Sequence, residues 1–259
     1  MKIHPTAIVD SKAKIGSNVI IGPNNLIGPD VIVGDNTEIG ANVIIEGSVS
    51  IGMNNIIFHH ITIGTPPQDK SYQGEDTKVK IGNNNTIREF VSIHRASTKD
   101  RWITEIGDNN FIMSYSHIGH DCIIGSDIVM ANGIGLSGHC VVEDHVNIGG
   151  MSGFHQFVRV GAYCMVGGMA SISKDVPPFV MTAGSSRQIK LYGLNTVGLK
   201  RNSFTKEQID NLSKAYHYLW RSNYMLVDAK KKVMDELGND PNIIRLIKFI
   251  DESKRGVIR

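Results

Sequence analysis

Cysteine is scarce in this chain, 3 in 259 residues, and that excludes a complete disulfide framework. Charge of either sign is modest. Lys plus Arg number 27 against 25 Asp plus Glu, a formal net charge of +2, which argues against a nucleic-acid footprint. No long apolar run occurs, so neither a signal peptide nor stable membrane insertion is expected. Gly-x-Ser-x-Gly elbows and phosphate-binding loops are also missing. What remains is a cytoplasmic chain of 41% hydrophobic content, enough for one large core and an appendage.

The chain has a period instead. Ile3, Val9, Ile15, Ile21, Ile27, Val33, Ile39, Ile45, Ile51, Ile57 and Ile63 recur every six residues. Ile81, Ile87 and Ile93 resume that register, and a second one runs from Ile106 through Ile112, Ile118 and Ile124 to Ile172. One hexad cannot bury its own apolar residue, so hexads must stack on one another. Ile and Val favour extended backbone, and Gly often follows them, which predicts short strands between tight corners. Three residues beyond the apolar positions come Asn18, Asn24, Asp30, then Asn36, Asn42, Ser48, then Asn54 and His60. Asn tolerates positive φ, so these positions read as corners of a triangular coil. The in-register positions imply about nine coils and a prism roughly 40 Å long. Cys122 and Cys140 fall on adjacent coils as reduced thiols rather than a disulfide.

The expected fold is therefore mainly β: a parallel β-helix over 1–185, with loops ejected at 64–80 and 94–105, then an α-helical domain over 186–259. Thr205 to Gln208 forms a capping box ahead of Ile209, Leu212, Tyr216 and Leu219 at helical spacing. A second helix is predicted at about 226–237, ending at Gly238. Asp240-Pro241 opens a third, carrying Ile243, Ile244, Ile247 and Ile250. Lys200, Arg201, Lys206, Lys214, Arg221 and Lys230-Lys231-Lys232 make this region basic, either a solvated face or a dock for an acidic partner.

The densest chemistry is His117-Ile118-Gly119-His120-Asp121-Cys122, followed by His139 and His155. Counted by coils, His120, His139 and His155 should cluster along one corner. Histidine suits general base work near neutral pH, and Asp121 could orient an imidazole. A metal site on His117, His120 and a Cys matches no familiar zinc spacing. Polar corner residues without chemistry are the plain alternative.

With these residues in view, the chain resembles the hexapeptide-repeat acyltransferases, and within them the UDP-N-acetylglucosamine 3-O-acyltransferases that begin lipid A synthesis. The likeness rests on Ile3-His4-Pro5-Thr6-Ala7, Pro67-Gln68-Asp69, Ile87-Arg88-Glu89, Ile93-His94-Arg95, the His117–Cys122 run, Gly138-His139, His155-Gln156-Phe157, Asp175-Val176-Pro177-Pro178 and Gly198-Leu199-Lys200-Arg201. It implies a left-handed β-helix, a homotrimer with sites between subunits, no cofactor, and two substrates: UDP-N-acetylglucosamine and an acyl carrier protein bearing a 3-hydroxyacyl chain. It further implies His120 as general base, Asp121 as its orienting partner and the Gly138 N–H as oxyanion donor. His139, His155 and Gln156 would bind the nucleotide sugar, with His94, His117, Gln68 and Asp69 near the sugar or acyl chain. Asn195 and Arg201 would reach the uridine and phosphates, and Gly168 would end the acyl groove. The acidic carrier protein would meet the basic helices.

Several positions depart from the family pattern. Ser71 precedes Tyr72 where a Lys is usual, Gly184-Ser185-Ser186 replaces Gly-Asn, Val197 stands for Glu, and Asn202 for a second Arg. All lie near the nucleotide sugar or its approaches, so a different UDP-sugar, such as a 3-amino analogue acylated on nitrogen, is the nearest alternative. A non-catalytic sugar-binding scaffold and a metal-dependent hexapeptide enzyme complete the field.

Overall fold

The computed structural model describes residues 2–185 and 188–259. The hexads build three sheets of 11, 9 and 8 strands, the faces of a triangular prism. Neighbouring strands of the prism are parallel and pair at one-coil spacing: Ile3 with Ile21, Ile21 with Ile39, Ile39 with Ile57. The column continues through Ile87, Ile112, Met130, Ile148 and Val166. From Ile21 on, its members are buried, each contributing roughly 1.5–3 kcal/mol relative to exposure. The coil is a left-handed parallel β-helix.

The Asn corners form as the sequence predicts. Asn18, Asn24, Asn36, Asn42, Asn54 and His60 all have φ between 56° and 58°. Asp30 and Ser48 do not join them: neither has positive φ. There the chain runs instead into the longer third-face strands Val31–Val33 and Ser48–Ile51. Corner side chains stack along the prism edge, as Phe90 does on His60 at 5.1 Å and Tyr115 on Phe90 at 4.9 Å.

Both loops are ejected without breaking the ladder. Strands Thr62–Thr65 and Lys78–Ile81 bracket the first; Ser92–His94 and Ile103–Ile106 bracket the second. The excursions are thus 66–77 and 95–102, shorter than expected because strand pairing persists into their ends.

The prism's sheet also extends past the expected boundary at 185. Strand Lys190–Leu194 folds back antiparallel on Val180–Ala183, closing the first face. Ser186, one of the family departures, lies outside the described residues. Four helices follow: α1 (Thr196–Arg201), α2 (Lys206–Trp220), α3 (Leu226–Leu237) and α4 (Pro241–Asp251). The Thr205–Gln208 capping box, the Gly238 C-cap and the Asp240 N-cap are all present. The short α1 had no periodic signal. Ile244, predicted on the apolar stripe of α4, is exposed, whereas Ile243, Ile247 and Ile250 are buried. Buried Asp175 ties the two parts together, accepting from Arg159 N–H and from Ser253 Oγ. Among the described residues no helix is long and apolar enough to cross a membrane.

Candidate active site

From the end of the second loop onward, the corner between the second and third faces holds side-chain-bearing residues in the left-handed region, where the early coils have only Gly47. Trp102, Asp121, His139 and Phe157 occupy it with φ between 61° and 67°. In the coil above the loop, this turn sets His120 and Asp121 against each other. His120 Nδ1 lies 2.7 Å from Asp121 Oδ2. That oxygen also accepts from Ser97 N–H, at 2.9 Å. Burial alone would raise the Asp121 carboxyl, but the hydrogen bonds from His120 and Ser97, with His139 nearby, outweigh it and hold the group below the usual carboxylate range. Asp121 therefore faces His120 as an anion. With Nδ1–H donated to it, His120 presents Nε2 as a bare acceptor.

His120 opens onto a cleft of about 600 Å³. Gly138 packs beneath the imidazole: a Cβ there would sit 2.5 Å from His120 Cε1 and 2.6 Å from Nε2. No other residue type permits that approach. The Gly138 N–H has no acceptor among the described residues. Gly135 and Gly153 form the cleft floor, where an added Cβ would meet nothing within 4 Å.

Five other predicted residues line the same cleft: Gln68, His94, His117, His155 and Gln156. His117 Nδ1 is 2.9 Å from Ser92 Oγ, and His94 Nδ1 is 2.6 Å from the Pro66 carbonyl, which roots the first loop beside the cleft. Burial, reinforced by neighbouring His94 and His120, pushes the His117 imidazole down to about 4, so it is neutral at physiological pH.

The remaining predicted residues lie elsewhere on the subunit. Asp69 ties the loops together, its Oδ2 2.6 Å from Lys99 Nζ and its Oδ1 accepting from the Ser71 N–H and hydroxyl. Lys99 first, and then Ser71, hold its carboxyl far below the usual range. Ser71, a departure from the family, thus has a local structural role. The expected cluster of three histidines forms in part. His120 and His155 line the cleft; His139 does not line it, but its ring meets that of His120 edge-on at 5.2 Å and stacks on Phe157 at 4.5 Å beside Asp100. The coil spacing places residues 18 apart on one column, and these three are not 18 apart. Gly168 sits against Gly150, on the corner next to exposed Met169 and away from the cleft.

Asn195 and Arg201 line a different cleft, of about 550 Å³, on the first face with Asn147, Met165, Val197 and Asn202. Asn195 caps α1 through Gly198 N–H and donates to the Tyr163 carbonyl. Asn202 donates to the Gly198 carbonyl at the other end of that helix.

Ligand atoms of His120, Asp121 and His139 lie within 4.8 Å of one another, a closer approach to a metal set than the His117–His120–Cys grouping. The cysteines cannot join it. Cys122, Cys140 and Cys164 are free and buried inside the prism, and desolvation pushes the Cys122 and Cys164 thiols well up.

Sequence reasoning missed Ser92, Ser97 and Thr104, which hold the site from behind. Nothing in the repeat singles them out as site residues: Ser97 lies in the second loop, and Ser92 and Thr104 lie in the strands that bracket it. Gly135 and Gly153 were discoverable, being one coil apart on outward positions.

Two domain families match. "Bacterial transferase hexapeptide (six repeats)" covers residues 12–47 and 103–133. "Udp N-acetylglucosamine O-acyltransferase; Domain 2" covers residues 175–258. Among curated proteins, the acyl-[acyl-carrier-protein]–UDP-N-acetylglucosamine O-acyltransferase of Thermodesulfovibrio yellowstonii is 52% identical over 100% of this chain and 99% of that protein. Its namesake from Paraburkholderia phymatum is 46% identical over 100% and 99%. Among solved structures, the Acinetobacter baumannii LpxA superposes with a TM-score of 0.96 at 41% identity, covering 100% of both chains. The UDP-N-acetylglucosamine acyltransferase of Bacteroides fragilis gives 0.96 at 38% identity over 99% of this chain and 100% of that one. Identity of this order over the full length leaves one conclusion: the chain belongs to the acyl-[acyl-carrier-protein]–UDP-N-acetylglucosamine O-acyltransferase family.

Proposed function

We propose that this protein transfers a 3-hydroxyacyl chain from acyl carrier protein to the 3-hydroxyl of UDP-N-acetylglucosamine, the first step of lipid A synthesis, in the cytoplasm. The observation that carries the reading is the His120–Asp121 pair opening onto the cleft directly above Gly138. His120 Nε2 takes the proton from the sugar hydroxyl as its oxygen attacks the thioester carbon. Asp121 stabilises the imidazolium that forms. The Gly138 N–H donates to the tetrahedral oxyanion, where charge develops. Collapse breaks the carbon–sulfur bond, and the departing thiolate takes the proton back from His120. No metal or cofactor enters these steps.

His117, His155 and Gln156 hold the sugar in this reading, with His94 and Gln68 beside them, while Asp69 holds the loop that carries Gln68. His139, Asn195, Arg201 and Gly168 do not line the cleft of their own subunit. A homotrimer with sites between subunits would bring such separated residues to one ligand. The carrier protein is acidic, and the basic face left for it is smaller than the sequence suggests. Lys214 and Lys232 pair with Glu236, and Lys230 pairs with Asp251. Lys200, Lys206 and Lys231 take no part in the ion pairs among the described residues, and these are the cations assigned to the partner. N-acylation of a 3-amino sugar finds no support, since the relatives named above are O-acyltransferases.

The test is mass spectrometry of product formed from a mixed 3-hydroxyacyl carrier protein pool with UDP-N-acetylglucosamine and its 3-amino analogue. An ester on UDP-N-acetylglucosamine is expected from the wild-type protein, with turnover lowered about 10²-fold to 10⁴-fold in His120→Ala. Exclusive amide product, or near-normal turnover by that variant, would overturn the reading.

A further inference from the structure

Most corner residues of the prism share one tether. Each amide bonds to a backbone carbonyl in the coil below: Asn109 to Asn83, Tyr115 to Glu89, Asp127 to Asp108, His139 to His120, Phe157 to Gly138. Asp121 breaks this rule. By the same spacing its acceptor would be the Trp102 carbonyl, at the end of the second loop. That carbonyl instead accepts from Lys78 N–H in the next coil down. The Asp121 N–H is left to the hydroxyl of Thr104, which accepts it at 2.9 Å. Among the described residues Asn24, in the second coil, is the other corner held by a hydroxyl, that of Thr6 in the first.

We propose that Thr104 is a positioning residue for the acyl transfer: its hydroxyl fixes the left-handed backbone of Asp121, and through Asp121 the imidazole of His120. Three observations converge. Asp121 has φ of 61°, a conformation that a side-chain-bearing residue keeps only when its surroundings hold it there. Thr104 is fully buried, so no water can replace its oxygen. The Asp121 side chain is lightly held besides: Oδ2 serves both His120 and Ser97, while Oδ1 is buried without any partner. A shift of the Asp121 backbone would carry its carboxylate away from His120 Nδ1, which lies 2.7 Å from Oδ2. The hydroxyl thus does for this corner what the ladder does for the others, at the place where ejecting the second loop removed the ladder's acceptor.

The inference rests on the acyl-transfer reading, and the experiment keeps the two apart. Thr104→Val keeps the shape and deletes the acceptor; Thr104→Ser keeps the acceptor. With 3-hydroxyacyl carrier protein and UDP-N-acetylglucosamine, Thr104→Val is expected to lower kcat roughly 10-fold to 100-fold, as for a misplaced catalytic group, with KM changed less than about twofold. Thr104→Ser should stay near wild type. In an Asp121→Asn background the same Val substitution should lower kcat no further, because the group it positions is already disabled. If Thr104→Val does not fold, Thr104→Ala carries the same expectations. Wild-type kcat in the Val variant, or an effect that multiplies with Asp121→Asn, overturns the positioning role. An active His120→Ala enzyme would instead sink the acyl-transfer reading beneath it.

Discussion

The corner between the second and third faces is built in two ways along one prism. Before the loops it has no positive φ at Asp30 and turns through a glycine, Gly47 at φ 73°, just ahead of Ser48, feeding strands of three and four residues, Val31–Val33 and Ser48–Ile51. After them, at Asp121, His139 and Phe157, it turns tightly through the left-handed region into two-residue strands such as Ile123–Ile124 and Val141–Val142. The difference bears directly on chemistry. In an extended strand consecutive side chains point to opposite faces, so neighbours in sequence cannot meet. A left-handed corner abolishes that alternation locally and lets His120 and Asp121 share a hydrogen bond. The apolar column inside is blind to the change: Ile39 and Ile148 are equally buried on either side of it.

The contrast can be broken at the late corner. Gly138→Ala forces a Cβ to within 2.6 Å of His120 Nε2, and transfer should fall about 10²-fold through displacement of the base. At Gly28, near the early corner, an added Cβ would meet no atom closer than 3.4 Å, so Gly28→Ala should leave kcat unchanged. Steady-state kinetics on both variants decides it, and equal losses would mean the two corners are not functionally distinct.

Stability offers the complementary check, because the core should not distinguish early from late coils. Ile39→Ala and Ile148→Ala should each cost about 2–5 kcal/mol, read from denaturant unfolding at fixed protein concentration. A clear excess at either end would show that the coils are not energetically equivalent.

The smallest effect concerns pH. The folded protein holds the His117 imidazole at about 4 against an ordinary 6.5. Below pH 6.5 the unfolded chain takes up a proton there that the folded chain refuses. Stability is therefore complete above that value and declines as pH falls toward 4. Thermal unfolding of His117→Gln should lose less on acidification across that window than wild type does. Identical slopes would remove His117 from the acid response. Among the described residues, no coil before the loops carries a histidine on a strand, so the effect belongs to the late coils alone.

Much of this was legible in the residues. The hexad named the buried column, the Asn corners and the coil length, because each side chain in a solenoid reports only on its neighbours one coil away. Caps at Thr205, Gly238 and Asp240 marked α2 to α4, because those residues satisfy helix-end groups locally. The His117–Cys122 run and Gly138 were visible as well. The geometry of the site was less so. Counting placed His139 beside His120, where its ring lies at 5.2 Å, yet the single-residue offset at a tight corner keeps it out of the cleft that His120 and His155 line. Ser97, a partner of Asp121, comes from the ejected second loop, which no repeat connects to it.

The sequence by itself determined the prism, its coil length, the helices that follow it and the family to which the chain belongs, since all of these rest on short-range pattern. Only the tertiary structure decided which of two corner types the site occupies and which face each predicted residue serves. It also decided that a buried threonine hydroxyl stands in for a missing carbonyl. Those outcomes depend on how the two ejected loops return to the ladder, and loop closure leaves no period to read.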